Sequence, residues 1–134
     1  MNQFRLRLGA SLHFLIAIGH IACLFFLEKA FKAYGIWELM KFLCFGQVWA
    51  LYVITVFLAI DFILAGVYAL SASGDIIKLP LQRLVIQLIV CLYSIRTIVG
   101  IYLLKSNFSY LEFISTIIPI ILLWCYFPGL NRKI

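Results

Sequence analysis

Four apolar stretches, each about as long as a bilayer's hydrocarbon core is thick, decide what this chain can become. They cover residues 9–27, 48–71, 81–104 and 110–127. A helix rises about 1.5 Å per residue and needs roughly 20 apolar residues to cross. In hydrocarbon the backbone must satisfy its own hydrogen bonds, which a helix does within one segment. The predicted fold is an all-α membrane protein, a four-transmembrane-helix bundle. Composition agrees: 66% of residues are hydrophobic and 12% charged, against about half and a quarter in soluble domains. Four spans leave about 50 of the 134 residues for termini and connections. That is room for one integral membrane domain and for no soluble catalytic one.

The connections carry their own signals. Arg5 and Arg7 ahead of the first apolar run outline a signal peptide. The run is too long for that, no Ala-x-Ala site follows, and His20 spoils a lipoprotein-type box ending at Cys23. It reads as the first transmembrane helix. Between the first and second spans, Lys29, Lys32, Glu38 and Lys41 alternate with Phe31, Tyr34, Trp37, Met40 and Phe45. This predicts a short amphipathic segment at the interface, anchored by Tyr34 and Trp37. Pro80 opens the third span, where proline costs least. Lys105–Ser109 predicts a tight turn. In the fourth span, Ser115 and Thr116 are expected to satisfy backbone groups freed by Pro119. Pro128-Gly129 is expected to end that span before a basic tail at Asn131-Arg132-Lys133.

The net charge of +6 belongs to the ends of the apolar segments, where topology and lipid headgroups place it. Nucleic acid is therefore not an expected partner. The lipid bilayer is, together with a homo-oligomer or another membrane protein. Arg5, Arg7, Lys78, Arg83, Arg132 and Lys133 fall on one side of the membrane, and Lys29, Lys32, Lys41 and Lys105 on the other. The larger group predicts both termini in the cytoplasm.

The remaining information lies in polar residues inside the spans. Asp61 and Arg96 sit deep in neighbouring helices, and an intramembrane charge costs roughly 2.5–3.5 kcal/mol unless it faces a partner. The reading pairs them. Gly9, His13, Ala17 and His20 share one helical face, as do Asp61, Ala65, Tyr68, Ala69 and Ala72, and as do Ile89, Tyr93, Arg96 and Gly100. Arg96 leans toward its own N-terminus by the usual helical rule, which brings its tip to the level of Asp61. The candidate site is thus a polar cluster of His13, His20, Asp61, Arg96, Tyr68 and Tyr93. It can be a structural lock, a proton relay, or a pocket for a headgroup, quinone or other small ligand.

Metal and cofactor sites are not expected. The only two histidines lie seven residues apart on one helix, and Cys23, Cys44, Cys91 and Cys125 lack metal-ligand or thiol-exchange spacing. Catalytic motifs are absent too. An enzyme is not the expected reading, although a small membrane isomerase using a histidine and a carboxylate is compatible with these residues.

At Gly66-Val-Tyr-Ala-Leu-Ser-Ala-Ser-Gly74, Lys78-Leu-Pro-Leu81 and Tyr93-Ser-Ile-Arg96, the sequence resembles a family of small bacterial four-helix inner-membrane proteins. His13 or His20, and Phe31-Lys-Ala-Tyr-Gly35, extend the likeness across about three helices. Thr97 stands where the family has Gly after Arg, and Ser73-Gly74 departs in the turn. The resemblance implies a multi-pass protein of the bacterial inner membrane and carries no activity with it. Small multidrug exporters offer a weaker comparison, since their first helix carries a carboxylate where this one carries histidines. The functional expectation is a non-enzymatic structural or accessory membrane component. The alternative is a small proton-coupled transporter or permease using the His/Asp/Arg cluster, and a weaker one is a lipid-binding protein or membrane-embedded enzyme.

Overall fold

The computed structural model describes residues 2–130, and the tail expected at Asn131–Lys133 lies outside the described residues. The described chain is helical throughout: α1 (Asn2–Cys23), a 3-10 turn (Leu24–Phe26), α2 (Leu27–Ala33), α3 (Trp37–Leu43), α4 (Val48–Ser73), α5 (Gln82–Ser106) and α6 (Tyr110–Leu130). Four of the segments, Asn2–Ala33, Val48–Ser73, Gln82–Ser106 and Tyr110–Leu130, are long and apolar enough to cross a membrane. Each covers an expected span, the third from one residue later than expected, and overruns it by up to about two turns.

The chain forms two compact units, one from the chain up to His13 and from Leu64 onward, the other from Phe14–Ile63. In the first unit, parts of α1 and α4 pack with all of α5 and α6. Its buried aliphatic side chains include Leu6, Ala10, Ala69, Ala72, Ile86, Ile89 and Leu122, packed with the buried ring of Tyr126. Small residues let helices approach closely where lipid removes the usual hydrophobic drive. Large apolar side chains such as Leu92, Ile98 and Trp124 point outward. In water that surface would be untenable, and in lipid it is the ordinary one.

Helix ends in this unit are finished by side chains and glycine. At the end of α4, Gly74 takes φ +89°, its N–H bonds to Ser71 O and the next N–H to Leu70 O. This is a Schellman closure, which needs the left-handed conformation that glycine adopts without penalty. The loop that follows is pinned twice. Ser71 Oγ donates to Ile77 O and accepts from Leu79 N–H, both at 2.9 Å. Asp75 pairs with Arg7 of α1 (Nε to Oδ2 2.8 Å) and accepts from Ser73 Oγ.

Two expectations about α6 need correction. Ser115 and Thr116 do not serve carbonyls freed by Pro119; both hydroxyls donate to Glu112 O, at 3.0 and 2.7 Å. The hydroxyls reach three and four residues back along their own helix, and Glu112 O is what lies there. Nor does Pro128 end the helix, which continues to Leu130. A proline removes the bond to the carbonyl four residues earlier, here that of Trp124. Arg5 replaces the missing donor: its guanidinium bonds to Trp124 O and lies over the Trp124 ring at 4.1 Å.

The second unit holds the connection between the first two spans. Instead of one amphipathic segment it contains two short helices, α2 and α3, closed by a bend at Gly35. Leu27, Cys44 and Leu51 form a small core lined by Phe31, Trp37 and Met40. Tyr34 is exposed, as an interfacial anchor would be, but Trp37 packs on that core with the Lys32 and Lys41 ammonium groups each 5.7 Å from its ring.

Two predictions follow from the first unit. A Cβ at Gly100 would meet Thr116 Oγ1 and approach Arg96 Nη1 to 3.0 Å. Gly100→Val therefore lowers the detergent melting temperature through a loss of about 1–3 kcal/mol of stability, while the same change at Gly19, where a Cβ meets nothing within 4 Å, has little effect. The Arg7 guanidinium and the Ser73 hydroxyl hold the Asp75 carboxyl below its ordinary value. A depressed carboxyl stabilises the fold above its unfolded value and loses that contribution as pH falls through the lowered one. Melting temperature should thus be insensitive to this contact from neutral pH down to about pH 4 and fall below it, and Asp75→Asn should remove that part of the acid limb.

Candidate functional site

The polar centre of the first unit is His13, fully buried on α1. Its Nδ1 lies 3.0 Å from Gly9 O, one turn earlier, and 2.6 Å from the Tyr126 hydroxyl of α6. Its Nε2 lies 2.7 Å from the Tyr93 hydroxyl of α5. Tyr126 in turn donates to Ala65 O of α4 at 3.5 Å. A carbonyl oxygen only accepts, so Nδ1 carries the proton and shares it between Gly9 O and the Tyr126 oxygen. Nε2 then accepts from Tyr93, and Tyr126 passes its own proton to Ala65. With the ring neutral, each of these donors has an acceptor.

Sequence builds this arrangement from spacing. Gly9 and His13 are one turn apart, so the imidazole folds back onto the Gly9 carbonyl. A Cβ at Gly9 would lie 2.9 Å from Tyr126 Cε2 and 3.1 Å from Cys125 Cβ. The bare glycine is what lets α6 close over α1 and bring the tyrosine in. The rings stack at their edges, Tyr126 nearly perpendicular to His13 (83°, centroids 5.2 Å) and Tyr93 tilted at 5.6 Å.

Arg96 forms a second polar knot. Its Nη2 donates to Glu112 Oε1 at 3.0 Å and to Ser115 Oγ at 2.9 Å, both on α6. Arg96 was expected to pair with Asp61, and the structure corrects this. Instead of leaning toward its own N-terminus, the guanidinium runs over Gly100, one turn onward, toward the α5–α6 turn. Without a Cβ at Gly100 that lane is open. It leads a long cationic side chain toward the end of its span, where charge is cheaper. Asp61 is exposed on α4.

Of the candidate cluster, His13 and Tyr93 are thus in direct contact. Tyr68 is half-buried. His20, in the second unit, bonds through Nδ1 to Ile16 O at 2.9 Å and stacks on Phe62 with centroids 4.9 Å apart. Sequence reading missed Tyr126 and Glu112 and gave Ser115 a different role; all three are on α6. The signal was there: Thr116, Pro119, Leu122, Tyr126 and Gly129 recur every three or four residues, which marks the packed face. Glu112 is the sole acid on that helix, 16 residues after Arg96 and across the α5–α6 turn from it.

No group of three or more His, Cys, Asp or Glu side chains among the described residues could hold a metal ion. The arrangement joins helices by hydrogen bonds and by the Arg96–Glu112 ion pair, in a chain whose four long segments can cross a membrane. Comparison with protein family models, curated proteins and solved structures gives no match.

Two measurements check this geometry. His13→Ala leaves the Tyr93 and Tyr126 hydroxyls short of a partner, at about 1–3 kcal/mol for each buried group. A double-mutant cycle of His13→Ala with Tyr93→Phe should give a coupling of roughly 0.6–1.7 kcal/mol, the range for interhelical bonds in membranes. For the second knot, Arg96→Glu and Glu112→Arg should each depress melting and the double swap should restore most of it. Asp61→Asn should leave the melting temperature unchanged.

Proposed function

We propose that this chain is a non-enzymatic component of the bacterial inner membrane, structural or accessory to other membrane proteins, with both termini in the cytoplasm. The observation that carries the reading is the closed hydrogen-bond set around His13. Parts of all four long helices meet there through one side chain or its partner: Gly9 and His13 of α1, Ala65 of α4, Tyr93 of α5 and Tyr126 of α6. Every donor in the set is spent on another helix or on a backbone carbonyl, which is the economy of a lock.

An accessory role draws support from Asp61. It lies near the middle of α4 and is exposed, and a carboxylate facing hydrocarbon is costly until a partner's donor or cation covers it. The inner-membrane assignment rests on the resemblance noted above and on the apolar helices. The orientation rests on the charge count, with Arg5, Arg7 and the Lys78–Arg83 loop at one end of the first unit, where Arg7 pairs with Asp75.

A second reading, proton-coupled transport, has one observation in its favour. Tyr93, His13 and Tyr126 form an unbroken row of short hydrogen bonds, 2.7 and 2.6 Å, and such rows conduct protons when a histidine can change tautomer. Proteoliposomes with an internal pH dye decide between the two. For a structural component, an imposed pH gradient should decay at the rate of protein-free liposomes, and His13→Gln should not alter it. Flux above that background which His13→Gln abolishes, in protein with an unchanged melting curve, would replace the structural reading with transport.

A further inference from the structure

We propose that the junction of α4 and α5 is a binding site for a phosphate ester, the headgroup of an anionic phospholipid. A cavity of about 430 Å³ opens there, within the range of small-ligand pockets. Its wall supplies Lys78, Gln82, Arg83 and Gln87, with Leu79 and Leu81 as the apolar part. This site is separate from the His13 centre and does not depend on the reading given to it.

Three features point to the same ligand. First, Lys78 and Arg83 are exposed and neither joins an ion pair among the described residues. The loop's own acid, Asp75, is already engaged by Arg7 and Ser73. Second, α5 starts at the cavity and nothing caps it. Leu81, its N-cap residue, makes no side-chain cap bond, and the first helical bond runs from Val85 N–H to Leu81 O. The amides of Gln82, Arg83 and Leu84 are thus without helical acceptors, and a helix of 25 residues presents a partial positive charge at that end. Phosphate oxygens fit both the amides and the two cations.

Third, Gln82 is 3% exposed and lines the cavity, and its carboxamide makes no hydrogen bond among the described residues, with Oε1 enclosed by protein. A buried carboxamide left unsatisfied is costly, and its amino group is a further donor for a phosphate oxygen. The cavity also lies where two membrane-length helices end, α4 at Ser73 and α5 at Gln82, so it stands at the level of lipid headgroups. Leu79 and Leu81 then face the glycerol and upper acyl carbons. These placements favour a lipid over a soluble phosphate ester.

The test uses the purified full chain in detergent, titrated by native mass spectrometry with phosphatidylglycerol, phosphatidic acid and phosphatidylcholine. Wild type should prefer phosphatidylglycerol to phosphatidylcholine. Lys78→Gln with Arg83→Gln should weaken that binding roughly thirtyfold, the effect of removing two headgroup-facing cations, while leaving the melting curve intact because both side chains are exposed and unpaired. Gln82→Met keeps the volume and removes the amide, and should weaken phosphatidylglycerol and phosphatidic acid alike, about tenfold. Equal affinity for phosphatidylcholine, or an equal loss with Lys105→Gln at the α5–α6 turn, would mean general electrostatic attraction and overturn the site. In a separate arm, inorganic phosphate and glycerol 3-phosphate are added at millimolar concentration. Failure of either to displace the lipid supports the headgroup as source. Displacement by glycerol 3-phosphate alone keeps the ester chemistry and overturns the lipid as its source.

Discussion

A backbone or side-chain polar group inside hydrocarbon has no water to fall back on, and this chain is organised by that constraint. Its four long helices satisfy their own backbones, but a histidine, two tyrosines, an arginine and a proline leave polar groups that other helices must meet. Each is met across a helix–helix contact of the first unit. His13 takes Tyr93 and Tyr126, Arg96 takes Glu112 and Ser115, and the Trp124 carbonyl next to Pro128 takes Arg5. Apolar contacts hold such helices together only weakly, because lipid tails compete for the same surfaces. The polar contacts therefore choose which helices meet and in what register.

Glycine does the complementary work. At Gly9 and Gly100 the missing Cβ is occupied by another helix's side chain, Tyr126 in one case and Thr116 in the other. In both cases a polar residue one turn away, His13 or Arg96, reaches its partner on α6 because of that gap. The pairing of a small residue with a polar one four positions later, or earlier, is a unit of recognition here: one opens the space and the other fills it with a directed bond.

The architecture was legible because hydrophobic length is a one-dimensional property, readable without knowing what packs on what. So were the faces of α1 and α5, since Gly9–His13 and Tyr93–Arg96–Gly100 follow helical spacing. The partners were not. Arg96 was matched with Asp61 on the assumption that a long side chain leans toward its helix N-terminus, a rule about the Cα–Cβ direction that leaves the far end of an arginine free to turn where space allows. Gly100 leaves that space one turn onward, and the guanidinium turns that way. Tyr126 lay inside the expected fourth span and was missed because spacing along one helix does not say which residue of another it meets. A donor 119 residues away in sequence, Arg5, keeps α6 going past Pro128, and no local pattern announces a contact of that span.

The two ends of the first unit consequently have different electrostatic characters. At the α5–α6 turn, the cation of Arg96 is neutralised by Glu112 within the protein. At the opposite end Arg5 is spent on a carbonyl and Arg7 on Asp75, which leaves Lys78 and Arg83 free beside an uncapped helix start. Among the described residues Lys78 and Arg83 stand on one cavity with no acid paired to either, so an anion for them has to come from outside the protein. Because those groups lie where two spans end, the bilayer surface is the nearest supply of such an anion. On that argument the lipid acts as the missing cap of α5, and the loop from Gly74 to Leu81, pinned by Ser71 and Asp75, keeps the cradle in shape before the lipid arrives.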